Sequence, residues 1–370
     1  MKLNIPENIE KIKPYPPGKP LDELEREYGI TNSIKLASNE SAWGPSPQVV
    51  NALRAELDNL HRYPDGSSYY LTQAIAEKFG VRPEEVVLGN GSNEIIEFLV
   101  KALVGSGDTV ISSHPSFLMY QKFVQVRGGE NHVVPLKEMG HDLEAIKEKV
   151  SDRTRLIFID NPNNPTGTAI DPQKLQQFLR DIPEHVTVVL DEAYVDFMDS
   201  ALRLDVVSYI RENQDSCAVV FMRTFSKAYA LSGLRVGFGL MPEQLAGCLH
   251  KVRQPFNINR MAQVGALAAL EDEDYYQQTL RLTAENILFL REEVDKLGCT
   301  SYPTHTNFFL IDVKGDADKL YQAMLYEGVI IRSMSAYGFD SFIRITVGTK
   351  EENQRFLKSL AKCLKELGYV

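Results

Sequence analysis

Lys227 stands in VVFMRTFSKAYALSGLRVGF, at the end of an apolar run and beside Thr224 and Ser226, with Arg235 eight residues on. Hydroxyls and a guanidinium together make a cradle for a phosphate. A half-buried lysine near other cations has a lowered pKa, which suits an amine that condenses with a carbonyl. Asp191 and Tyr194, in VVLDEAY, follow a second run of the buried-strand type. A carboxylate placed there needs a cationic or protonated partner, because stranding it alone in a low dielectric is costly. Lysine amine, phosphate anchor, aspartate partner and tyrosine are together what pyridoxal phosphate requires of a protein. Taken one at a time, the residues also permit plainer readings: a lysine pointing to solvent and an aspartate capping a turn.

Two further segments fall in the same kind of place. GNGSNE (Gly89 to Glu94) joins a strand to a helix and resembles half a dinucleotide fingerprint, but Glu94 stands where the third glycine belongs. What survives is a loosened turn whose N–H groups, with Ser92 and Asn93, face an anion at a helix N-terminus; an ordinary cap by Ser92 or Asn93 is the competing reading. NPNNPTG (Asn161 to Gly167) has two prolines and a glycine in seven residues. These force a rigid loop, open to a cis peptide, in which Asn163 and Asn164 read as aimed donors.

The elements that must position these groups follow from periodicity. Short β-branched runs recur at VRPEEVVLGNG, GDTVISS, ENHVVPL, RLIFIDNP, VTVVLDEAY, CAVVFMRTFSK and RVGFGLM. Amphipathic patterns such as NEIIEFLVKALVG and DPQKLQQFLRDI lie between most of them. Strands alternating with helices predict an α/β fold, a mostly parallel sheet covered on both faces. In such sheets ligands gather at the carboxyl ends of the strands, and all four polar segments follow strand runs, so they converge on one pocket. A long helix through EDEDYYQQTLRLTAENILFLREEVDKLG is expected, with Leu280, Leu282, Ile287, Leu288, Leu290, Val294 and Leu297 as its apolar positions. NFFLIDV, GVIIRSM and FIRITVG then read as strands and EENQRFLKSLAKCLKEL as a helix, giving a smaller α+β unit. The expected division is an extended, Pro-punctuated N-terminal arm over 1–45 belonging to the small domain, a large domain over 46–260 and a small domain over 261–370.

Composition removes several classes of function. Forty Lys and Arg against fifty Asp and Glu give 40 − 50 = −10 over 370 residues. So acidic a chain is not drawn to nucleic acid or anionic membranes by its overall field. No run reaches the ~20 apolar residues of a membrane helix. The opening MKLNIPENIEKIKPYPPGKP has no apolar core and does not read as a secretory signal. Cys217, Cys248, Cys299 and Cys363 are widely and irregularly spaced, which suits reduced thiols in a cytoplasmic protein. The seven histidines form no HxxxH or HxH pair, so no metal site is expected.

The set NPNNPTG, DEAY and TFSKAYALSGLRVG, in this order and spacing, resembles the fold-type I aminotransferases that depend on pyridoxal 5'-phosphate. KPYPPGKP, LASNESAWGPSP, HRYPDG, GNGSNEIIE, GVIIRS and FIRITVGT are similar to the branch that acts on histidinol phosphate. The resemblance implies that Lys227 joins the cofactor covalently and later shuttles a proton, and that Asp191 keeps the pyridine nitrogen protonated. It implies that Tyr194 and Asn164 bond the cofactor's phenolic oxygen and that Phe117, where many relatives carry Tyr, stacks on the ring. Ser92, Asn93, Thr224, Ser226 and Arg235 would hold the phosphate. Arg344 and Arg332 would take the substrate's anionic end. Tyr15 and Tyr63 would reach the substrate phosphate, Tyr63 from a neighbouring subunit, and Asn39 would line the substrate side. Ser41 and Ala42 depart from the relatives' pattern beside Trp43, the single tryptophan.

The implied reaction exchanges histidinol phosphate and 2-oxoglutarate for imidazole-acetol phosphate and glutamate, in a homodimer with shared sites. Two neighbouring activities use the same scaffold, aromatic-amino-acid transamination and threonine-phosphate decarboxylation. A dinucleotide-dependent oxidoreductase built on the GNG turn lacks the third glycine and the ribose-binding acid.

Overall fold

The seven apolar runs form one sheet. In this computed structural model, which describes residues 3–14, 18–212 and 216–370, a two-residue strand β1 (Ile34–Lys35) comes first. The seven runs follow as β2 (Val86–Gly89), β3 (Thr109–His114), β4 (Glu130–Pro135), β5 (Thr154–Asp160), β6 (Thr187–Asp191), β7 (Ala218–Thr224) and β8 (Gly237–Leu240). Their order across the sheet is β2-β8-β7-β6-β5-β3-β4. β8 runs antiparallel to β2 and β7; the remaining pairs are parallel. The expected mostly parallel α/β sheet is what the chain forms.

Parallel strands buried on both faces read as continuous apolar runs, and alternate residues serve the two sides. Val188 and Leu190 enter one core with Ile157 and Phe221. Val189 enters the other with Phe158, Val220 and Met222. The helix Ser92–Leu103 covers the second face with Ile95, Ile96, Leu99 and Val100. Pro172–Asp181 covers the first with Leu175, Phe178 and Leu179. Its start is fixed locally: Pro172 takes the first turn, and Asp171 accepts from the N–H groups of Gln173 and Lys174. The helix Arg260–Glu271 adds Ala262, Ala266, Ala268 and Ala269 to the first core.

A second sheet is built from β9 (Thr300–Ser301), β10 (Phe308–Asp312), β12 (Arg332–Ser333) and β13 (Phe342–Thr346), in the order β12-β13-β10-β9. The intervening β11 (Val329–Ile330) instead pairs in parallel with β1. Ile287, Leu290 and Val294 of the long helix Glu273–Lys296 pack here with Phe309, Ile343, Ile345 and Phe356. Leu288, expected among the apolar positions, is 60% exposed. The closing helix Lys350–Leu367 carries a reciprocal cap between Thr349 and Glu352 and stops at Gly368 in the left-handed region.

The N-terminal segment departs from an extended arm. It holds the helix Leu21–Tyr28, whose Leu24 is fully buried with Ala37, Leu325 and Ile330. The β1–β11 pairing then lays residues 36–39 against the end of β13 in the second sheet: the N–H of Thr346 donates to Leu36 O at 2.8 Å, and that of Asn39 to Thr346 Oγ1 at 2.9 Å. Among the described residues, no helix is long and apolar enough to cross a membrane.

Candidate active site

A cavity of about 430 Å³ lies at the carboxyl ends of the strands. The four polar segments meet in it, through Ser92, Asn93, Asn164, Asp191, Tyr194, Thr224, Ser226, Lys227 and Arg235, and Phe117 completes one wall.

One corner is built for an anion. Ser92 and Asn93 open their helix, so unpaired N–H groups and the positive end of the helix dipole face the cavity. Gly91 before them has φ +76°, and a Cβ there would sit 2.5 Å from Arg235 Nη2. A side chain at 91 would therefore strain the backbone and displace the tip of the arginine lying against the turn. Across the corner, Thr224 Oγ1 donates to Ser226 Oγ at 3.0 Å while accepting from the Ser226 N–H at 3.1 Å. The Asn93 side-chain oxygen is buried with no hydrogen-bond partner among the described residues.

The opposite end is a buried acid. Asp191 is 6% exposed. Burial pushes its carboxyl up to about 7, against the Tyr120 hydroxyl that donates to Oδ2 at 2.7 Å and with added repulsion from Asp160. A cation arriving beside Asp191 relieves that cost. Tyr120 stacks on Phe158 at 4.6 Å between centroids and meets Phe117 edge-on at 5.5 Å, which locks the hydroxyl in place. Tyr194 accepts from Asn39 Nδ2 at 2.8 Å; burial pushes its phenol up to about 12, with Arg344 and that bond opposing.

Between the two ends, Lys227 Nζ donates to Asn39 O at 3.1 Å and lies 5.6 Å over the Tyr194 ring. Burial brings its amine down to about 8, assisted by the positive charges of Arg344 and Arg235 and opposed by Glu40. An amine so poised is uncharged, hence nucleophilic, in a fraction of molecules near neutrality.

Arg344, on β13, is buried; it donates to Asn164 Oδ1 and, at 2.9 Å, to Ala37 O, with its guanidinium 5.0 Å over the Phe308 ring. Arg332 is its direct partner across the β12–β13 ladder. Two like charges opposite one another repel, and neither arginine is among the residues lining the cavity. Asn163 does not face the cavity: its amide nitrogen donates to Asp160, and its oxygen accepts from the Thr166 N–H and hydroxyl. It braces the loop, whose Asn161–Pro162 bond is cis. Tyr63 is 80% exposed, stacks on Phe256 at 4.9 Å and does not line this cavity. Tyr15 lies outside the described residues.

The cavity wall also holds Ser38, Glu40, Tyr120, Asp160, Ala193, Ser232 and Gly233, which sequence reasoning passed over. Two of them carried a signal. Tyr120 is three residues after Phe117, the spacing that puts two side chains on one side of a helical turn. Asp160 ends LIFID as Asp191 ends TVVLD, each an acid at the close of an apolar strand.

The aminotransferase class I and II family matches residues 31–360. A histidinol-phosphate aminotransferase of Desulfotalea psychrophila is 65% identical over 370 residues, covering 100% of this chain and 98% of the relative. One from Carboxydothermus hydrogenoformans is 44% identical, covering 97% of this chain and 99% of its own. The crystal structure of a Sinorhizobium meliloti histidinol-phosphate aminotransferase in complex with pyridoxal-5'-phosphate superposes with a TM-score of 0.92 at 27% identity, over 99% of both chains. With the strand-end lysine, the buried acid and the helix-end anion corner in one cavity, these likenesses agree: the chain belongs to the class I and II aminotransferases, in the histidinol-phosphate aminotransferase family.

Proposed function

We propose that this chain transfers the amino group of histidinol phosphate to 2-oxoglutarate, giving imidazole-acetol phosphate and glutamate, with pyridoxal 5'-phosphate as cofactor. The observation that carries the reading is the order of groups along one cavity: anion corner, Lys227, then buried Asp191. A cofactor with a phosphate at one end, an aldehyde in the middle and a basic ring nitrogen at the other fits that order. At Gly91 a Cβ would lie 2.5 Å from Arg235 Nη2, so the glycine lets that guanidinium lie against the turn. When bound, the cofactor supplies an electron sink for breaking a bond at the substrate's α-carbon.

The chain's own residues do the rest. Ser92, Asn93, Thr224, Ser226 and Arg235 hold the phosphate. Asp191, steadied by Tyr120, keeps a proton at the ring nitrogen, and in doing so loses the desolvation cost that burdens it alone. Phe117 takes a ring face, and Tyr194 and Asn164 hold the phenolic oxygen. Lys227 would hold the cofactor at its aldehyde carbon and, as a free amine, would move a proton at the substrate's α-carbon. Arg344, with Arg332 and Asn39, holds the anionic end of either substrate. The arm over 1–45, the large domain over 46–260 and the small domain over 261–370 divide these tasks between cofactor and substrate.

A homodimer completes the site in this reading, with Tyr15 and Tyr63 reaching the substrate phosphate, Tyr63 from the partner. Supporting it, Leu57, Leu60, Tyr63, Tyr69, Tyr70 and Phe256 are all exposed, Tyr63 and Tyr70 by 80% and 74%. So many large apolar side chains at the surface are characteristic of an interface. The proposed place of work is the cytoplasm.

Steady-state assays on cofactor-loaded protein with histidinol phosphate, phenylalanine and threonine phosphate test the substrate. The highest kcat/KM should belong to histidinol phosphate, by at least about tenfold, or ~1.4 kcal/mol. Preference for phenylalanine, or CO2 release from threonine phosphate, would overturn it.

A further inference from the structure

Asp160 closes β5 as Asp191 closes β6, and the two are direct register partners across that parallel pair. Both are buried, 3% and 6% exposed, and both line the cavity. Two adjacent strands thus each deliver a carboxylate to the same end of the site. Repulsion between them disfavours holding both as anions, so the pairing is an expense unless something positive sits against it.

The surroundings of Asp160 are specific. Its Oδ1 accepts from Ser116 Oγ at 2.7 Å, and its Oδ2 from the Asn164 N–H at 2.8 Å. Asn163 Nδ2 lies 3.1 and 3.2 Å from the two oxygens. His141 Nε2 is 2.9 Å from Asp160 O and 3.2 Å from Oδ1, so it faces two acceptors and carries a hydrogen. His141 Nδ1 is 2.7 Å from Ser113 Oγ. The Ser116 hydroxyl, the Asn164 N–H, Asn163 Nδ2 and His141 Nε2 surround the carboxylate oxygens and fix the group in the cavity wall.

We propose that Asp160 is a positioning residue for the cofactor, acting in two ways: it fixes Asn164 through that residue's N–H, and its charge, added to that of Asp191, helps retain the positive charge of the bound cofactor. The inference rests on the cofactor reading of the site. The titratable groups facing Asp160 are Asp191 from β6, Tyr194 just beyond β6, Tyr120 from the helix Met119–Arg127, and His141. Asp160 strengthens proton retention on Asp191, Tyr120 and Tyr194. Positive charge enters from Lys227, beside the Tyr194 ring, and from Arg344, which bonds the Asn164 side chain.

The test is a pH titration of the visible absorbance of cofactor-loaded protein, which reads proton retention on the bound cofactor rather than turnover. In Asp160→Asn the midpoint should fall by about one pH unit, the size expected when a nearby opposite charge is lost. Asp160→Glu should restore it toward wild type. If Asp160→Asn folds poorly, Asp160→Ser removes the same charge with a smaller polar side chain and should move the midpoint the same way. A loaded, folded charge-removing variant with the wild-type midpoint overturns the inference while leaving the cofactor reading intact. Wild type that takes up no pyridoxal phosphate overturns both.

Discussion

Arg344 reaches from β13 of the small sheet to the side-chain oxygen of Asn164 in the NPNNPTG loop, joining the two sheets across the mouth of the cavity. The second fork of the same guanidinium holds Ala37 O at 2.9 Å, so three separate segments depend on one side chain.

Arg344→Lys keeps the charge and loses the fork. A bond to a charged group is worth ~1.5–3 kcal/mol, so kcat/KM should fall by roughly 10- to 100-fold for amine and oxo acid alike. The cofactor spectrum should persist. Loss confined to one of the two substrates would show that Arg344 does not serve both.

Cofactor capture should follow the Lys227 amine. Its value falls from 10.5 to about 8 in the folded, cofactor-free protein. The folded value is the lower one, so the neutral amine accumulates as pH rises through about 8. The rate of pyridoxal phosphate binding, followed by stopped-flow absorbance, should climb across that region and then level off. The same shift makes the unfolded chain the better proton binder between about 8 and 10.5, so cofactor-free protein should gain stability as pH rises across that window. Lys227→Ala should bind the cofactor reversibly and lose at least ~10²–10⁴-fold in turnover. A capture rate independent of pH would contradict the assignment.

Asp191 carries the opposite sign. Its carboxyl rises from 3.8 to about 7 on folding. Between these values the folded chain keeps a proton that the unfolded chain has lost, so stability falls as pH rises through the window and stays lower above it. The cost is on the order of 4 kcal/mol at full ionisation, at 1.36 kcal/mol per unit. Asp191→Asn keeps an acceptor for Tyr120 and removes the charge. Scanning calorimetry of the cofactor-free variant should show a Tm a few degrees above wild type near pH 8, with a smaller gain near pH 5. Transamination should fall by about 100-fold or more. A variant no more stable than wild type would place the burial cost elsewhere.

Gly91→Ala tests the anion corner. An alanine at φ +76° and ψ 159°, a conformation essentially reserved for glycine, costs ~1–3 kcal/mol of backbone strain, and its Cβ would lie 2.5 Å from Arg235 Nη2 and displace it. The cofactor dissociation constant should rise by about tenfold or more, measured by equilibrium dialysis, with a modest loss of Tm. Unchanged affinity would remove Arg235 from the phosphate site.

Much of this was legible in sequence because the chemistry sits where strands end. The run before Asp191 or Lys227 is apolar because both faces of the sheet are covered, and the polar residue that breaks it marks the exit. What distinguishes Asn163 from Asn164 was not legible: both are amides in one stiff loop, and only its folded path turns the first toward Asp160 and the second toward Arg344. Tyr120 reads as a core aromatic, since its contact with Asp191 spans 71 residues. The Arg332–Arg344 pairing depends on antiparallel register, set by packing rather than by either strand alone. The helix Leu21–Tyr28 was hidden by the prolines that precede it.

The half-reaction isolates amino-group transfer from histidinol phosphate. Cofactor-loaded protein mixed with histidinol phosphate and no oxo acid should yield one equivalent of imidazole-acetol phosphate per site, with loss of the visible absorbance. Adding 2-oxoglutarate should restore the absorbance and release one equivalent of glutamate. Failure to form the keto product from loaded, folded protein, or release of the amine unchanged, would contradict the account.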